Sequence, residues 1–416
     1  MAPAPARNAH AAGFQPASRY RWVVLASLMA GNSCFSLVGL ALGILLPSIV
    51  TELHLTPLES GWLGSSFRLG NILFALPLGF LLSRHSPRLM LLVTFLAAAV
   101  FTFGQAFAPL FGALLASRML FGIMQTARNP GRALFLTQWF APREVVLANG
   151  LFIGAAGIAE AATLMLTPLV LDLLGSWRLT FAVYGVYILV VAGLFIVLAR
   201  ERVTPAYQEA MASQEKLSFW TVFRHRDLWL ASLGAFGTTF AWWAFGTFWP
   251  TYMQSAYAMP LALSGFLYGL VSLSMTLAAL VIGWSIRSPG AKRMAVAVCG
   301  VAMALGSLGL MATSSVALLV VGAAVTGLAW GYVPIILSVP YQIPGIKPRE
   351  TAVAVSFISA MFMAGGAAGP FVAGALYQTS GSLHLALVAC ALAPLTLTAT
   401  GFFLWRDRKG SPTGVA

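Results

Sequence analysis

Apolar stretches follow one another along the whole chain and are separated by short polar turns. A helix needs about 20 apolar residues to cross a bilayer, so each stretch is a candidate membrane span. The stretches are continuously apolar rather than alternating, which disfavours a membrane β-barrel. The pattern predicts an all-α membrane protein with twelve transmembrane helices in two six-helix halves, at 21–50, 60–82, 89–108, 111–138, 146–173, 179–199, 228–253, 261–286, 294–312, 315–341, 352–377 and 384–405.

The composition agrees with a lipid environment. The 416 residues are 59% hydrophobic and 8% charged, whereas soluble domains carry about 25% charged residues. The mean hydropathy is +0.86. The cysteines have neither disulfide nor metal-ligand spacing, so they are expected to be small buried apolar side chains and no cofactor is expected; they are Cys34, Cys299 and Cys390.

The basic residues lie almost entirely in alternate loops. Since cytoplasmic loops are enriched in Lys and Arg, they predict both termini on the cytoplasmic side of a bacterial inner membrane, with Arg178 alone in the other loops. A DNA-binding protein would cluster its basic residues on one soluble face, so the net charge of +13 does not indicate a nucleic-acid partner. The cytoplasmic set is Arg84, Arg88, Arg143, Arg200, Arg202, Lys216, Arg224, Arg226, Arg287, Lys292, Arg293, Lys347, Arg349, Arg406, Arg408 and Lys409.

The longest polar stretch, at 200–226, falls after six spans and before six more. The first residues are rich in Ala and Pro and are expected to be disordered. The predicted organisation is a cytoplasmic tail at 1–20, a six-helix bundle at 21–200, a cytoplasmic central loop at 201–226, a second six-helix bundle at 227–405 and a cytoplasmic tail at 406–416.

Two polar turns indicate an internal repeat. Span two ends in GFLLSRHSPR, from Gly79 to Arg88, and span eight ends in GWSIRSPGAKR, from Gly283 to Arg293. The two glycines are 204 positions apart, about half the chain. Such duplication is typical of secondary transporters, whose halves rock about a site near the bilayer midplane. The alternative is that cytoplasmic turns are basic and glycine-rich in general.

The Gly79–Arg88 turn resembles the loop motif of the major facilitator superfamily, Gly-x-x-x-Asp-Arg-x-Gly-Arg-Arg, with Ser83 in place of the Asp. The resemblance implies a secondary transporter rather than an enzyme, a self-sufficient monomer, and a gating or loop-motif role for Gly79, Arg84 and Arg88. Spans four to six resemble the branch that carries organic anions with protons or sodium, at Arg118, Gly122, Pro130, Trp139, Phe140, Pro142, Arg143, Glu144, Gly150, Gly157, Pro168 and the run from Gly175 to Phe181.

Two positions depart from that branch. Val38 and Gly39 stand where an Asp-Arg pair is common. Gln125 stands where an acid often follows the span-four arginine by seven residues. The usual proton-coupling site of the branch is therefore incomplete in this sequence.

Few ionisable residues lie inside the predicted spans. They are Arg68 in span two, Arg118 and Arg128 in span four, and Glu160 in span five. A charge at mid-membrane is costly unless it meets a partner or an aqueous cavity. At about 100° per residue, span four carries one polar stripe that should face the bundle interior, formed by Arg118, Gly122, Gln125, Asn129 and Arg132.

Two interpretations of these arginines remain open. In the structural one they pair with Glu160 or with backbone carbonyls, while Arg132 snorkels to the interface. In the functional one they bind an anionic substrate, because a guanidinium bonds carboxylate or phosphate bidentately and stays charged. The candidate substrate-binding residues are Arg68, Arg118, Arg128, Gln125, Asn32 and Asn71, although small polar side chains also serve helix packing.

Glu160 is the candidate proton carrier. Burial favours the neutral form of a carboxyl group and a neighbouring arginine favours the ionised form, so its state could follow substrate and proton binding. The alternative is a permanent ion pair. In the second half, Trp243 and Tyr332 are candidates for the apolar wall of a pocket, although aromatic residues facing lipid are ordinary.

The sequence therefore predicts a transporter that moves a small organic anion, a carboxylate in the first instance, by alternating access with H⁺ as coupling ion. The alternative function is a drug or metabolite exporter, but exporters of lipophilic cations need acids in the cavity and this interior is net positive. A membrane enzyme is disfavoured because the spans hold one carboxylate and no mid-span histidine.

Overall fold

A computed structural model describes residues 19–82, 86–126, 128–140, 142–200, 222–285, 288–343 and 348–405. These residues form fifteen α-helices and three short 3-10 helices, with no β-strand among them. Residues 1–18 of the predicted tail at 1–20, the predicted tail at 406–416 and residues 201–221 of the predicted central loop lie outside the described residues. The α-helices are α1 (Tyr20–Leu53), α2 (Pro57–Leu82), α3 (Pro87–Ala106), α4 (Phe111–Gln125), α5 (Arg128–Trp139), α6 (Pro142–Leu174), α7 (Trp177–Leu198), α8 (Arg226–Tyr257), α9 (Leu261–Ser285), α10 (Pro289–Gly309), α11 (Val316–Leu328), α12 (Val333–Ser338), α13 (Pro348–Ser380), α14 (Leu383–Ala391) and α15 (Leu395–Phe403); the 3-10 helices are Val222–Arg224, Ala329–Tyr332 and Pro340–Gln342.

The prediction of an all-helical membrane protein is confirmed. Within the described ranges, nine helices are long and apolar enough to cross a bilayer, and α4 is a shorter apolar helix. Large aliphatic side chains such as Val100, Val197 and Leu318 are exposed on the outside of the bundle. A continuous apolar surface of this kind matches lipid rather than water. The three cysteines are buried and free, as expected.

The bundle has two faces. The Tyr20 hydroxyl donates to the carbonyl of Leu198, and the Trp405 N–H donates to Asp227, so the first and last described helix ends share one face, called here the terminal face. The turn after α1 and the start of α7 lie on the other face, called the opposite face, where Arg178 forms an ion pair with Glu52. Helices that start at one face end at the other.

Three predicted spans are each divided into two helices, which corrects the expectation of continuous helices. Span four comprises α4 and α5, span ten comprises α11 and α12, and span twelve comprises α14 and α15. A proline stands at the start of each second helix, namely Pro130, Pro334 or Pro394. Proline is tolerated there, but inside a helix it removes an N–H and clashes with the preceding turn. The stripe predicted from Arg118 to Arg132 is therefore not one face of one helix.

The backbone repeats itself at an offset close to 204 positions. α1 and α8 each end at a non-glycine residue in the left-handed conformation, His54 at φ 51° and Ala258 at φ 49°. α3 and α10 are each capped by a serine hydroxyl, Ser86 or Ser288, that accepts from the N–H three residues later. Pro130 and Pro334 share the same spacing. These matched details support an internal duplication.

The halves meet through helix pairs that the repeat relates. α2 packs on α13, and α6 packs on α9. Gly61 of α2 lies against the backbone of Pro370, while Gly265 of α9, 204 positions later, lies against Pro168. Both contacts lie within about one turn of the opposite face, so the halves are closed there.

The tightest approach joins α1 to α8. Gly43 faces the carbonyl of Gly246, and a Cβ at Gly43 would overlap that oxygen. The two glycines are 203 positions apart, so equivalent points of the two halves meet each other. Small residues permit such backbone approach between membrane helices.

Candidate functional site

A small cavity lies where the two halves meet. It is lined by Gly39 and Gly43 of α1, Gly64 of α2, Arg118 of α4, Leu164 of α6 and, among others, Trp242, Trp243 and Thr247 of α8. Its free space holds about one water molecule, too little for an organic anion. A ligand of that size requires the helices to separate.

A layer of charged side chains lies one helical turn nearer the terminal face. Arg68 follows Gly64 by four residues on α2, and Glu160 precedes Leu164 by four residues on α6. Residues four apart share a helix face. Because α2 and α6 run in opposite directions, both side chains project at the same level beside the cavity.

Arg68 bridges the two halves without an ion pair. Its guanidinium carbon lies 4.2 Å from the ring centroid of Trp243 on α8 and 5.3 Å from that of Phe67. Its Nη1 donates to the sulfur of Met363 on α13 at 2.9 Å. Its Nε is buried without a hydrogen-bond partner. The charge is therefore held by an aromatic face and a thioether, which are weak partners for a cation.

Arg128 begins α5 on the same side of the cavity. Its Nη1 donates to the side-chain oxygen of Asn32, and its guanidinium carbon lies 5.6 Å from the ring of Phe35. The Nε of Arg128 is also buried and unpartnered. Arg132, one turn further along, stacks over Phe152 at 4.5 Å. Asn32, a predicted substrate-binding residue, thus contacts a protein side chain in this conformation.

Glu160 lies within electrostatic range of both Arg68 and Arg128. No ion pair or hydrogen bond of its carboxyl group is found among the described residues. The expected alternative of a permanent direct ion pair is therefore absent from this conformation. Two cations and one carboxyl group share the layer, which leaves room for an anion to complete their pairing.

Arg118 differs from the other two arginines because its donors are used. It is 2% exposed, its Nε donates to the carbonyl of Leu63 at 3.2 Å, and its Nη1 donates to the side-chain oxygen of Gln105 at 3.0 Å. These bonds tie α4 to α2 and α3. They favour the structural interpretation for Arg118, although the side chain also reaches the cavity wall.

Three further predicted residues have no contact with Arg68 among the described interactions. Gln125 ends α4, where its side-chain oxygen is buried and unpartnered. Asn71 accepts at its backbone carbonyl from the Thr126 hydroxyl at 3.2 Å. Tyr332 is fully buried, and its hydroxyl bonds to that of Thr238 within the second half. Tyr332 and Trp243 do not contact each other among the described interactions.

The predicted loop motif is described in part. Gly79 lies in the last turn of α2, and Arg84 falls outside the described residues. Arg88 donates from Nη2 to the carbonyl of Ile196 at 2.7 Å. Its contact therefore holds the end of α7.

Sequence reasoning missed three contacting residues. Gln105, the partner of Arg118, is the lone amide of span three, and that isolation was an available signal. Met363 and Phe67 contact Arg68, but a thioether or phenyl group in an apolar span looks like ordinary packing. Only the three-dimensional contact distinguishes them.

Comparisons with known proteins agree with this architecture. A family model described as Major Facilitator Superfamily matches residues 26–345. The chain is 27% identical over 402 residues to the probable L-galactonate transporter of Escherichia coli (strain K12), covering 88% of this chain and 85% of that protein. It is 22% identical over 261 residues to the galacturonate transporter of Dickeya chrysanthemi, covering 58% and 74%.

A solved structure has the same fold. The nucleoside transporter NupG superposes with a TM-score of 0.76, covering 94% of this chain and 100% of that chain at 13% sequence identity. An identity this low carries the fold alone and says nothing about the ligand.

Proposed function

Since the chain belongs to the major facilitator superfamily and is a multi-pass membrane transporter, we propose that it carries a small organic anion by alternating access, with sugar acids as the first class to test. The sugar-acid class is suggested by the galactonate and galacturonate transporters to which the chain is similar. The substrate is the small-molecule partner, and no cofactor is invoked.

The observation that carries this proposal is the unpaired positive charge beside the cavity. Arg68 and Arg128 each keep a buried Nε without a partner, and the nearby Glu160 pairs directly with neither. A carboxylate accepts two parallel bonds from a guanidinium, and such charge-assisted bonds are stronger than neutral ones. An anion entering this layer would supply the partner that both arginines lack.

Alternating access is supported by where the halves touch. Gly61 and Gly265 close the opposite face, while Gly43 brings α1 against α8 at the depth of the cavity. The remaining cavity is too small for substrate. Rocking of one half against the other would open that face and enlarge the cavity. Cytoplasmic loops are enriched in Lys and Arg, which supports a cytoplasmic terminal face; in a bacterial inner membrane the closed face would then be the outer one.

Proton coupling is assigned to Glu160. The carboxyl group is near both arginines yet bonded to neither, so proton binding and anion binding at the layer would influence each other. In proteoliposomes, Glu160→Gln is expected to lose accumulation driven by a pH gradient while keeping exchange of internal for external substrate. Full pH-driven accumulation by this variant would rule out the coupling role.

The first test is thermal stabilisation of the purified full-length protein by galactonate, galacturonate, inorganic anions and lipophilic cations. A ligand that binds the folded state raises its apparent stability by mass action. The expected result is stabilisation by sugar acids that is lost in Arg68→Gln and partly kept in Arg68→Lys. Arg178→Gln is the matched control, because it removes a positive charge at the opposite face.

Two results would contradict the proposal. Equal stabilisation of wild type and Arg68→Gln by sugar acids would remove the layer from substrate binding. Stabilisation by lipophilic cations instead of anions would favour the exporter alternative, and counterflow of the stabilising cation would then test it.

A further inference from the structure

The charge of Glu160 affects how strongly the site binds ligands of different charge, and this effect is separate from proton transfer. Among the described residues, Glu160 carries the one carboxyl group within electrostatic range of both Arg68 and Arg128. Arg132, stacked over Phe152, adds positive charge on the far side of Arg128. Any anion bound between these arginines therefore lies close to a competing negative charge.

We propose that Glu160 makes the layer selective for monoanions over dianions. This inference rests on the proposed function and names the charge class of its substrate. Two arginines whose Nε atoms lack partners offer places for two carboxylates. Glu160 occupies the same level, one turn from Leu164 as Arg68 is one turn from Gly64, so the second carboxylate of a dianion would meet it.

The selectivity follows from how Coulomb energy scales with ligand charge. The Glu160 carboxylate repels each carboxylate of a ligand, and one such repulsion energy is called here one increment. Removing the Glu160 charge therefore strengthens the binding of a monoanion by one increment and that of a dianion by two. At ~6 Å, one increment is about a hundredfold in affinity at an effective dielectric constant of about 20, and about tenfold at a dielectric constant of about 40. The ratio of dianion to monoanion affinity should therefore rise about tenfold or more when the charge is removed.

The thioether and aromatic partners of Arg68 do not reduce this change in selectivity. Met363 and Trp243 carry no charge, so neither compensates for the loss of Glu160. In the second half no Asp, Glu, Lys, Arg or His lies in the middle of a span. Ligand charge is thus balanced by the first half alone.

The experiment compares galacturonate, a monoanion, with galactarate, a dianion of the same carbon number, by calorimetric titration of the full-length protein. The variants are Glu160→Gln and Glu160→Met, which both remove the charge, so that a folding failure of one leaves the other. Glu160→Asp keeps the charge and should keep the wild-type preference. Glu59→Gln, at the exposed start of α2 on the opposite face, is the control for losing a carboxylate elsewhere.

The expected result is a galactarate-to-galacturonate affinity ratio that rises tenfold or more in Glu160→Gln and Glu160→Met but not in Glu160→Asp or Glu59→Gln. If wild type binds galacturonate and the ratio stays the same in the neutral variants, the inference fails and the proposed function stands. If wild type binds neither sugar acid nor any other anion tested, the proposed function fails and this inference fails with it.

Discussion

The first six spans and the last six spans repeat one another in backbone detail but differ in what their interiors carry. The left-handed residues His54 and Ala258, and the serine caps of α3 and α10, occur at equivalent positions. Charged side chains in the middle of spans occur only in the first half of the sequence. Duplication has therefore preserved the packing while the chemistry has diverged.

Equivalent positions make the divergence specific. Ser272 stands 204 positions after Arg68 and is buried with an unpartnered hydroxyl. Tyr332 stands 204 positions after Arg128, and Met363 stands 203 after Glu160. The charged residues of one half thus correspond to neutral residues of the other.

This asymmetry suits a protein whose halves must separate. Where Arg68 reaches the second half it meets the ring of Trp243 and the sulfur of Met363. A cation–π contact contributes about 0.5–2 kcal/mol, whereas breaking a buried ion pair costs about 3–5 kcal/mol. Neutral partners therefore let the halves part at a modest cost.

The largest expected effect comes from wedging the halves apart. Gly43→Leu places a side chain against the Gly246 carbonyl, so the opposite face should open and transport should be abolished. Spin labels at the exposed Thr51 and Ser255 should report a longer distance. Gly246→Ala should be milder, because the nearest atom that a Cβ at Gly246 would meet is the Tyr268 hydroxyl, at 3.2 Å.

Gly154→Leu is the control for the wedge, since a Cβ at Gly154 meets nothing within 4 Å. It should keep both transport and the wild-type distance. An unchanged label distance in Gly43→Leu would show that this contact does not hold the opposite face closed.

A smaller effect is expected on stability at Arg118. Arg118→Met leaves the side-chain oxygen of Gln105 without its donor, and an unsatisfied buried polar group costs about 1–3 kcal/mol. The free energy of unfolding in detergent should fall by about that amount, while stabilisation by sugar acids persists. Adding Gln105→Met should recover part of the loss because the orphaned group is then gone.

The result also decides between the two interpretations of Arg118. A variant that is as stable as wild type but no longer stabilised by anions would show that Arg118 takes part in substrate binding.

The sequence predicted the fold better than the contacts, and the reasons are physical. Continuous apolar runs determine membrane spans because the bilayer tolerates few alternatives. Span four shows the limit, since Pro130 divides it and the 100° projection from Arg118 to Arg132 fails. Periodicity assumes one unbroken helix.

Arg68, Arg128 and Glu160 could be singled out as candidates from the sequence because charged residues are rare in membrane spans. A charge there is energetically costly unless it meets a partner or serves a function. Their partners were harder to predict. Met363 carries no pattern that separates it from packing residues, and Tyr332 proved to bond to Thr238 rather than to face Trp243. Side chains that meet across two halves depend on helix docking, which a single sequence encodes only indirectly.

An intermediate effect should follow from changing the ring beside Arg68. Trp243→Leu removes the cation–π contact at 4.2 Å, worth about 1 kcal/mol, and frees the guanidinium to change rotamer. Sugar-acid affinity measured by titration should fall about fivefold, and the loss should be smaller in Trp243→Phe. Trp242→Phe is the control, because Trp242 stacks on Tyr268 at 4.5 Å instead; equal losses in both tryptophans would indicate general packing.

The smallest effect tests the repeat itself. Arg88 donates to the Ile196 carbonyl at 2.7 Å, and Arg293, 205 positions later, donates to the Phe402 carbonyl at 2.6 Å. Each arginine thus holds the end of the last helix of its half. Both bonds are exposed, so Arg88→Gln and Arg293→Gln should each lower the free energy of unfolding by only about 0.5–1 kcal/mol.

Arg293 should lose slightly more, because its Nε makes a second, longer bond to Gly401 at 3.4 Å. Thermal unfolding in matched detergent measures both variants. A loss confined to one variant would mean that only one of the two arginines stabilises the last helix of its half. The difference between the halves would then extend from the interior to the terminal face.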